Sequence, residues 1–274
     1  MRFGIISDMH ANELALEACL AAVARQGVDR LVFLGDIVGY GPDPEAVTQR
    51  VAALAGQGAI CLKGNHDAAA TGSPTSMNDV AQAAIDWTRP RLSEGSRRFL
   101  AQLQMQQVVD DLLFVHAEAS QPESWIYVTD AATALRSIQA VPARITFCGH
   151  VHRPQLYGLT ATGKVVTHTP RSEAPLPLPA QRQWLAVAGA AGQPRDGNPA
   201  ASFMTYDSES RSLTYHRAAY DCDMAAQRLR DVGLPDELGR RLVEVDDALG
   251  QAAAHRDLVH VDVGRVEEAA MLGH

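Results

Sequence analysis

FGIISDMHANELALEACLAAVARQGVDRLVFLGD, residues 3–36, is the stretch on which the fold turns. Residues 3–6 form a short apolar run of the kind that makes a buried strand, and Leu16, Leu20 and Val23 then recur at helical spacing through an alanine-rich segment. Gly27 stops that helix, and residues 31–34 make a second apolar run. The alternation continues outward. Pro42 and Pro44 punctuate a loop, Val47, Val51 and Leu54 mark a second helix closed by Gly56 and Gly58, and residues 59–62 read as a third strand. Strand, helix, strand, helix, strand implies a parallel sheet with right-handed crossovers.

Downstream the signals loosen. Residues 77–103 read as helical with interruptions at Pro90 and Gly95, and residues 108–115 as a hairpin turning at Asp110 and Asp111. A short helix over 131–137 precedes a strand over 144–148, and β-rich sequence follows, with strands at 164–168, 183–188, 202–206 and 212–216. The proline-rich residues 170–179 and residues 189–199 read as surface loops. In the last segment Ala225, Leu229 and Val232 mark one helical face, residues 233–235 stop it, and Leu238, Leu242, Val245 and Leu249 mark another. The reading is an α/β domain over residues 1–218, followed by a helical extension over 219–274 packed on or near it.

Composition narrows the classes. With 46% hydrophobic and 20% charged residues, the 274-residue chain has the balance of a globular protein, which excludes wholesale disorder. A formal charge of -8 disfavours a protein that lives on the nucleic-acid backbone or on an anionic membrane. No stretch approaches the about 18–20 apolar residues needed to span a bilayer, and the apolar run before Asp8 is too short for a signal peptide. The four cysteines (Cys19, Cys61, Cys148, Cys222) are scattered without a CxxC pair, so a cytoplasmic setting is expected.

The histidines carry the chemistry. His10, His66, His116, His150 and His152 each follow an apolar strand and stand beside Asp, Asn or Gly, in Asp8-Met9-His10, Gly64-Asn65-His66-Asp67 and Gly149-His150-Val151-His152; Gly35-Asp36 follows the second strand in the same way. Ligands bind at the carboxyl ends of strands in open α/β sheets, so these places converge on one rim. Singly, each has a plain explanation, Asp8 or Asp36 as a cap and Asn65 as a turn residue. Jointly they supply a set of carboxylates, imidazoles and one carboxamide, without thiolates, that suits Mn²⁺, Fe, Zn²⁺ or Co²⁺. So many donors fit two metals sharing a carboxylate and a water, whose net positive face attracts a phosphoryl group.

Asp8-x-His10, Gly35-Asp36, Gly64-Asn65-His66-Asp67, His116 and Gly149-His150-x-His152, in that order, resemble the calcineurin-like metallophosphoesterase superfamily, and residues 39–44 (GYGPDP) resemble its compact bacterial phosphodiesterase branch. The resemblance implies a four-layer α/β/β/α sandwich of two mixed sheets with flanking helices. It assigns one metal to Asp8, His10 and His152 and the other to Asn65, His116 and His150, with Asp36 bridging. It implies two divalent ions, Mn²⁺ first and Fe, Zn²⁺, Co²⁺ or Ni²⁺ after it. His66 then acts as general acid or hydrogen-bond donor to the leaving group, oriented by Asp67, while a bridging hydroxide attacks phosphorus.

The expected activity is hydrolysis of phosphodiester or nucleotide polyphosphate bonds in small soluble substrates. Phosphomonoesterase and Ser/Thr protein phosphatase are rivals within the superfamily, and a non-catalytic scaffold is the rival outside enzymes. Neither charge nor an insertion suggests a nucleic-acid track. Asn12, Tyr40 and Arg153 flank the motifs as candidate substrate contacts, Tyr40 by stacking on a base or aromatic leaving group. His168, His216, His255, His260 and His274 lack partner spacing and are expected at the surface.

Overall fold

Alternation along the first strand sets up the layers. In the computed structural model, which describes residues 1–243, β1 (Arg2–Ile6), α1 (Glu13–Ala24), β2 (Arg30–Phe33), α2 (Pro44–Gly56) and β3 (Ile60–Cys61) follow one another, and the three strands pair in parallel. Successive strand side chains point to opposite faces. Phe3 and Ile5 therefore enter one buried cluster, while Ile6 enters another with Leu16, Cys19 and Val23 of α1. Gly4 faces the helix with Ile6. A Cβ there would stand 2.7 Å from Val23 Cγ1, so glycine lets α1 lie close on the sheet.

The chain continues through α3 (Asn65–Ala70), α4 (Asp79–Thr88), α5 (Glu94–Gln102), β4 (Gln106–Val109), β5 (Leu112–Val115), α6 (Ala131–Gln139), β6 (Ile145–Cys148), β7 (Pro154–Leu159) and β8 (Val165–His168). β9 (Leu176–Pro177), β10 (Gln183–Ala188), β11 (Ala201–Asp207), β12 (Ser212–Ala218), α7 (Cys222–Asp231) and α8 (Asp236–Val243) complete the described residues. The strands form two six-stranded mixed sheets, in the orders β3-β2-β1-β11-β12-β9 and β4-β5-β6-β10-β7-β8.

Between the sheets, Phe3, Ile5 and Val32 of the first meet Leu112, Phe114 and Phe147 of the second. Phe114 and Phe147 stack at 5.3 Å, and truncating either to alanine removes about 3–5 kcal/mol. α1 and α2 cover the outer face of the first sheet. α6 covers the second, Ala134 and Ile138 packing on Leu113, Val115 and Val187. This is the α/β/β/α sandwich that the motifs imply.

Several local expectations differ. The break in residues 77–103 falls at a 3-10 turn over Arg89–Arg91 and at Ser93, whose hydroxyl caps α5 by accepting from the Ser96 N–H, so Gly95 lies inside a helix. β9 arises within the proline-rich stretch because it pairs with β12. Residues 189–194, expected at the surface, are buried. They run beside the end of β1, where the Ala191 and Gly192 N–H groups donate to the carbonyls of Ser7 and Asp8, both at 2.9 Å. α7 and α8 pack Ala225, Leu229, Leu238 and Leu242 on Tyr40, Ala81 and Ala84. Val245 and Leu249 of the second expected face lie outside the described residues. Among the described residues no helix is long and apolar enough to cross a membrane.

Candidate metal centre

Each expected ligand stands just past a strand end. Asp8 and His10 follow β1, Asp36 follows β2, Asn65 opens α3 after β3, His116 follows β5, and His150 and His152 follow β6. Two sheets therefore deliver one site. The backbone turns sharply to do it: Asp8, His10, Asp36, His150 and His152 all have φ between 48° and 67°. That left-handed conformation costs a non-glycine residue about 1–2 kcal/mol, and such strain persists where surrounding contacts over-determine it.

Their donor atoms converge. Asp8, His10, Asp36 and His152 form one group and Asp36, His116 and His150 a second, the donor atoms of each lying within 4.8 Å of one another. Asp36 belongs to both. Its Oδ2 is 3.6 Å from His10 Nε2 and 3.4 Å from His116 Nε2, while Oδ1 accepts the His66 N–H at 2.8 Å. Asn65 Oδ1 lies 3.3 Å from His116 Nε2. The His150 N–H donates to Asp8 Oδ2 at 3.0 Å, and His152 Nε2 is 3.3 Å from Asp8 Oδ1.

The ring nitrogens test whether a cation fits. His10 Nδ1 faces the Val38 carbonyl at 3.2 Å and His152 Nδ1 faces the Gln193 carbonyl at 2.7 Å. A carbonyl only accepts, so each Nδ1 carries the proton and each Nε2 a lone pair. Those two Nε2 atoms are 3.0 Å apart. Two lone pairs at that distance repel unless a cation or proton draws both, and Nδ1–H to a carbonyl is the usual way a ligating histidine is held. The donor set fits a divalent metal.

Electrostatics separate the histidines. Burial pushes His10 and His152 below the usual range, Arg195 adding to the effect at His152. Burial also takes His150 down to about 3 and His66 to about 4. His116 goes the other way. Burial opposes its charge, but Asp36, Asp8 and Asp67 together outweigh it and His116 rises to about 9. Its Nδ1 faces the Leu34 carbonyl at 3.0 Å, so both nitrogens meet acceptors. Asp36 and Asp8 stay below the carboxylate range despite burial, held there by His116 and His152 respectively.

The remaining expected residues divide. Asp67 does not orient the His66 ring. Its Oδ1 accepts from the Ile37 and Val38 N–H groups and its Oδ2 from that of Gly64, so it ties the start of α3 to the loop after β2. His66 lines the cleft with Nδ1 buried and unpartnered. Tyr40 packs on the rings of His10 and His66, at 4.6 and 4.4 Å between centroids. Asn12 is committed elsewhere: it caps α1 and donates to the Gly192 carbonyl and the Tyr220 hydroxyl. Arg153 donates to the Arg195 carbonyl at 2.6 Å, which supports a neighbour of the cleft. His216, expected at the surface, is buried between Thr205 and Glu173, whereas His168 is exposed.

Two cleft residues carry no sequence signal. Tyr127 stacks on His150 at 3.9 Å, and Arg195 lines the cleft opposite. The cleft holds about 70 Å³, small for a site that takes a whole ligand. A wider surface groove lined by Thr71, Arg89, Glu94, Arg97 and Arg98 shares no residue with it.

The calcineurin-like phosphoesterase superfamily domain matches residues 1–211. A Methanocaldococcus jannaschii protein, MJ0912, is 29% identical over 247 residues, covering 87% of this chain and 96% of its own. A metallophosphoesterase from Sphaerobacter thermophilus superposes with a TM-score of 0.78 at 36% identity, over 88% of this chain and 98% of that one. The Pyrococcus horikoshii protein PH1004 shares the fold, with a TM-score of 0.70 at 18% identity over 88% of this chain and 97% of its own.

Proposed function

The chain belongs to the calcineurin-like phosphoesterase superfamily and is a phosphoester hydrolase; from that premise we propose that it hydrolyses phosphodiester or nucleotide polyphosphate bonds of small soluble substrates at a two-metal centre. The observation that carries this reading is the pair of facing Nε2 lone pairs on His10 and His152, with the Asp36 carboxylate reaching toward both donor groups. Asp8, His10 and His152 would hold one ion, Asn65, His116 and His150 the other, and Asp36 both. Divalent ions supply Lewis acidity there, neutralising phosphoryl oxygens and making hydroxide available near neutral pH. Mn²⁺ comes first by the resemblance to the superfamily, and the nitrogen and oxygen donors also suit Fe, Zn²⁺, Co²⁺ and Ni²⁺. The four free cysteines accord with a reducing cytoplasm.

The chain's own groups do the rest. His66 offers the leaving oxygen a ring N–H, and its burial keeps the ring in place between Tyr40 and His10. Carbonyls of Val38, Leu34 and Gln193 fix the tautomers of His10, His116 and His152. Tyr40 and Tyr127 wall the cleft, Tyr40 against the rings of His10 and His66 and Tyr127 against that of His150. Residues 1–218 make the catalytic unit, and α7 and α8, the described part of the expected extension, pack against it. Hydrolysis of bis(4-nitrophenyl) phosphate with added Mn²⁺, set against an Asp36→Asn variant, tests the reading. The wild type is expected to turn over and the variant to lose at least about 100-fold. Equal, negligible rates in both would favour a non-catalytic scaffold.

A further inference from the structure

Among the described residues, Arg195 is the one arginine or lysine that lines the cleft of Asp36, His66, His150 and His152. It is firmly placed. Its N–H donates to the His152 carbonyl at 3.0 Å, and its own carbonyl accepts from Arg153 Nε. Its charge, however, is left without a carboxylate among the described residues. Asp196, the next residue, pairs with Arg217 instead. The side-chain partner of Arg195 is the neutral Gln193 Oε1, 3.3 Å from Nη2, while Nε is buried with no partner. The guanidinium carbon stands 5.8 Å from the Tyr40 ring centroid.

A half-buried cation beside a site built for cations is unfavourable on its own. Folding strips part of the guanidinium's water and, among the described residues, pairs it with no carboxylate, a deficit that an entering anion would meet. A planar guanidinium matches two phosphate oxygens side by side, and a charged hydrogen bond of that kind is stronger than a neutral one. The two carboxylates of the cluster, Asp8 and Asp36, face histidines and backbone and make no ion pair with Arg195.

We propose that Arg195 anchors phosphate oxygens that the metal residues do not hold, and so makes the site selective for phosphorylated substrates bearing at least two negative charges. The inference rests on the reading of the chain as a phosphoester hydrolase and, of the bonds proposed above, favours nucleotide polyphosphates over simple phosphodiesters. A phosphodiester with no other charged group has one negative charge and gains least from Arg195. A phosphoryl group with two anionic oxygens, or a neighbouring second phosphate, gains most.

The test uses the full chain loaded with Mn²⁺, as wild type, Arg195→Gln and Arg195→Lys. Three probes are measured: inorganic phosphate by titration calorimetry, 4-nitrophenyl phosphate (two charges) and bis(4-nitrophenyl) phosphate (one charge). Arg195→Gln is expected to weaken phosphate binding and raise KM for the monoester by about 10- to 100-fold. Its kcat/KM for the diester should fall by a clearly smaller factor than for the monoester, and its metal content should match wild type. Arg195→Lys retains the charge and recovers much of the phosphate affinity, which separates lost charge from lost packing. Unchanged phosphate affinity, equal losses on both esters, or loss of metal in Arg195→Gln overturns the proposal. If wild type hydrolyses neither ester yet binds phosphate through Arg195, the hydrolytic reading falls and the Arg195 inference stands.

Discussion

Gly149→Ala places one methyl group against the carboxylate that both sheets share as a contact. Gly149 lies outside the left-handed region, so alanine meets no backbone strain there and the effect is one of space. Its Cβ would stand 1.8 Å from Ser7 Oγ, 2.5 Å from Asp8 Oδ2 and 2.9 Å from Ser7 Cβ. Ser7 Oγ is buried without a hydrogen-bond partner, so rotating it away relieves the first contact at no loss of a bond. The other two have no such exit. Asp8 is fully buried, accepts the His150 N–H and lies against His152. Ordinary contact needs about 3.5 Å, so Asp8 or the backbone at 149 must move by about 1 Å. A displacement of that size in a reacting constellation costs about 100-fold in rate, and the overpacking costs about 1–3 kcal/mol of stability. Gly149→Ala should therefore lose about 100-fold in kcat/KM together with part of its metal, read by 4-nitrophenyl ester hydrolysis and by elemental analysis of the same sample. Gly56→Ala at the end of α2, where nothing lies within 4 Å of the new Cβ, is the control and should change neither. A Gly149→Ala protein with its full metal complement and turnover within about threefold of wild type would refute the packing argument.

His66→Ala should keep its metal while kcat falls by about 10²–10⁴-fold, as loss of a ring N–H at the leaving oxygen predicts; unchanged kcat in a metal-loaded variant removes His66 from the reaction. Asp67→Asn replaces an acceptor of three backbone N–H groups by an amide that cannot accept them all, so thermal unfolding should show a loss of about 1–3 kcal/mol. A melting temperature equal to wild type would show those bonds to be dispensable. In the metal-free protein His116 binds its proton up to about pH 9, because Asp36, with Asp8 and Asp67, outweighs burial. A metal that takes its Nε2 must expel that proton, so metal affinity rises with pH below that value, by about tenfold per unit for one proton. Calorimetry at pH 7.5 in two buffers of different ionisation enthalpy should report proton release on loading, and none at all would contradict the Asp36–His116 pairing.

The layers were legible wherever a segment's own pattern decides its conformation. β1 to β3 and the helices between them carry both apolar periods, and the Asp110–Asp111 turn marks the β4–β5 hairpin. Elsewhere the deciding partner is distant along the chain. β7 opens on Pro154 and contains Gly158, which weakens any strand signal, yet that glycine lets Trp184 of β10 pack at a spacing a Cβ would block. Residues 189–194 read as a surface loop because they are small and lack a period. They are buried because their N–H groups find carbonyls at the end of β1. Pairing of this kind is a tertiary fact, and local propensity does not encode it.

The site divides along the same line, with one addition. Donors are legible because ligation depends on residue type: an imidazole or carboxylate after a strand announces its chemistry. Asp67 and Arg195 are also chemically suited to a phosphate site, and type alone misplaces the first and passes over the second, since their roles depend on which N–H groups or charges stand nearby. The addition is the glycines. Five ligands leave their strands in the left-handed conformation, which brings Asp8 and Asp36 so near the facing loops that a Cβ on Gly149 or Gly64 would strike their carboxylates. Strain at the ligand and absence of a side chain opposite it are two halves of one device. Gly-Asp, Gly-Asn-His-Asp and Gly-His-x-His therefore pair a donor with the room another donor needs, in each case across from a different strand end. That reciprocity explains why the motifs mean little one at a time and specify a site together.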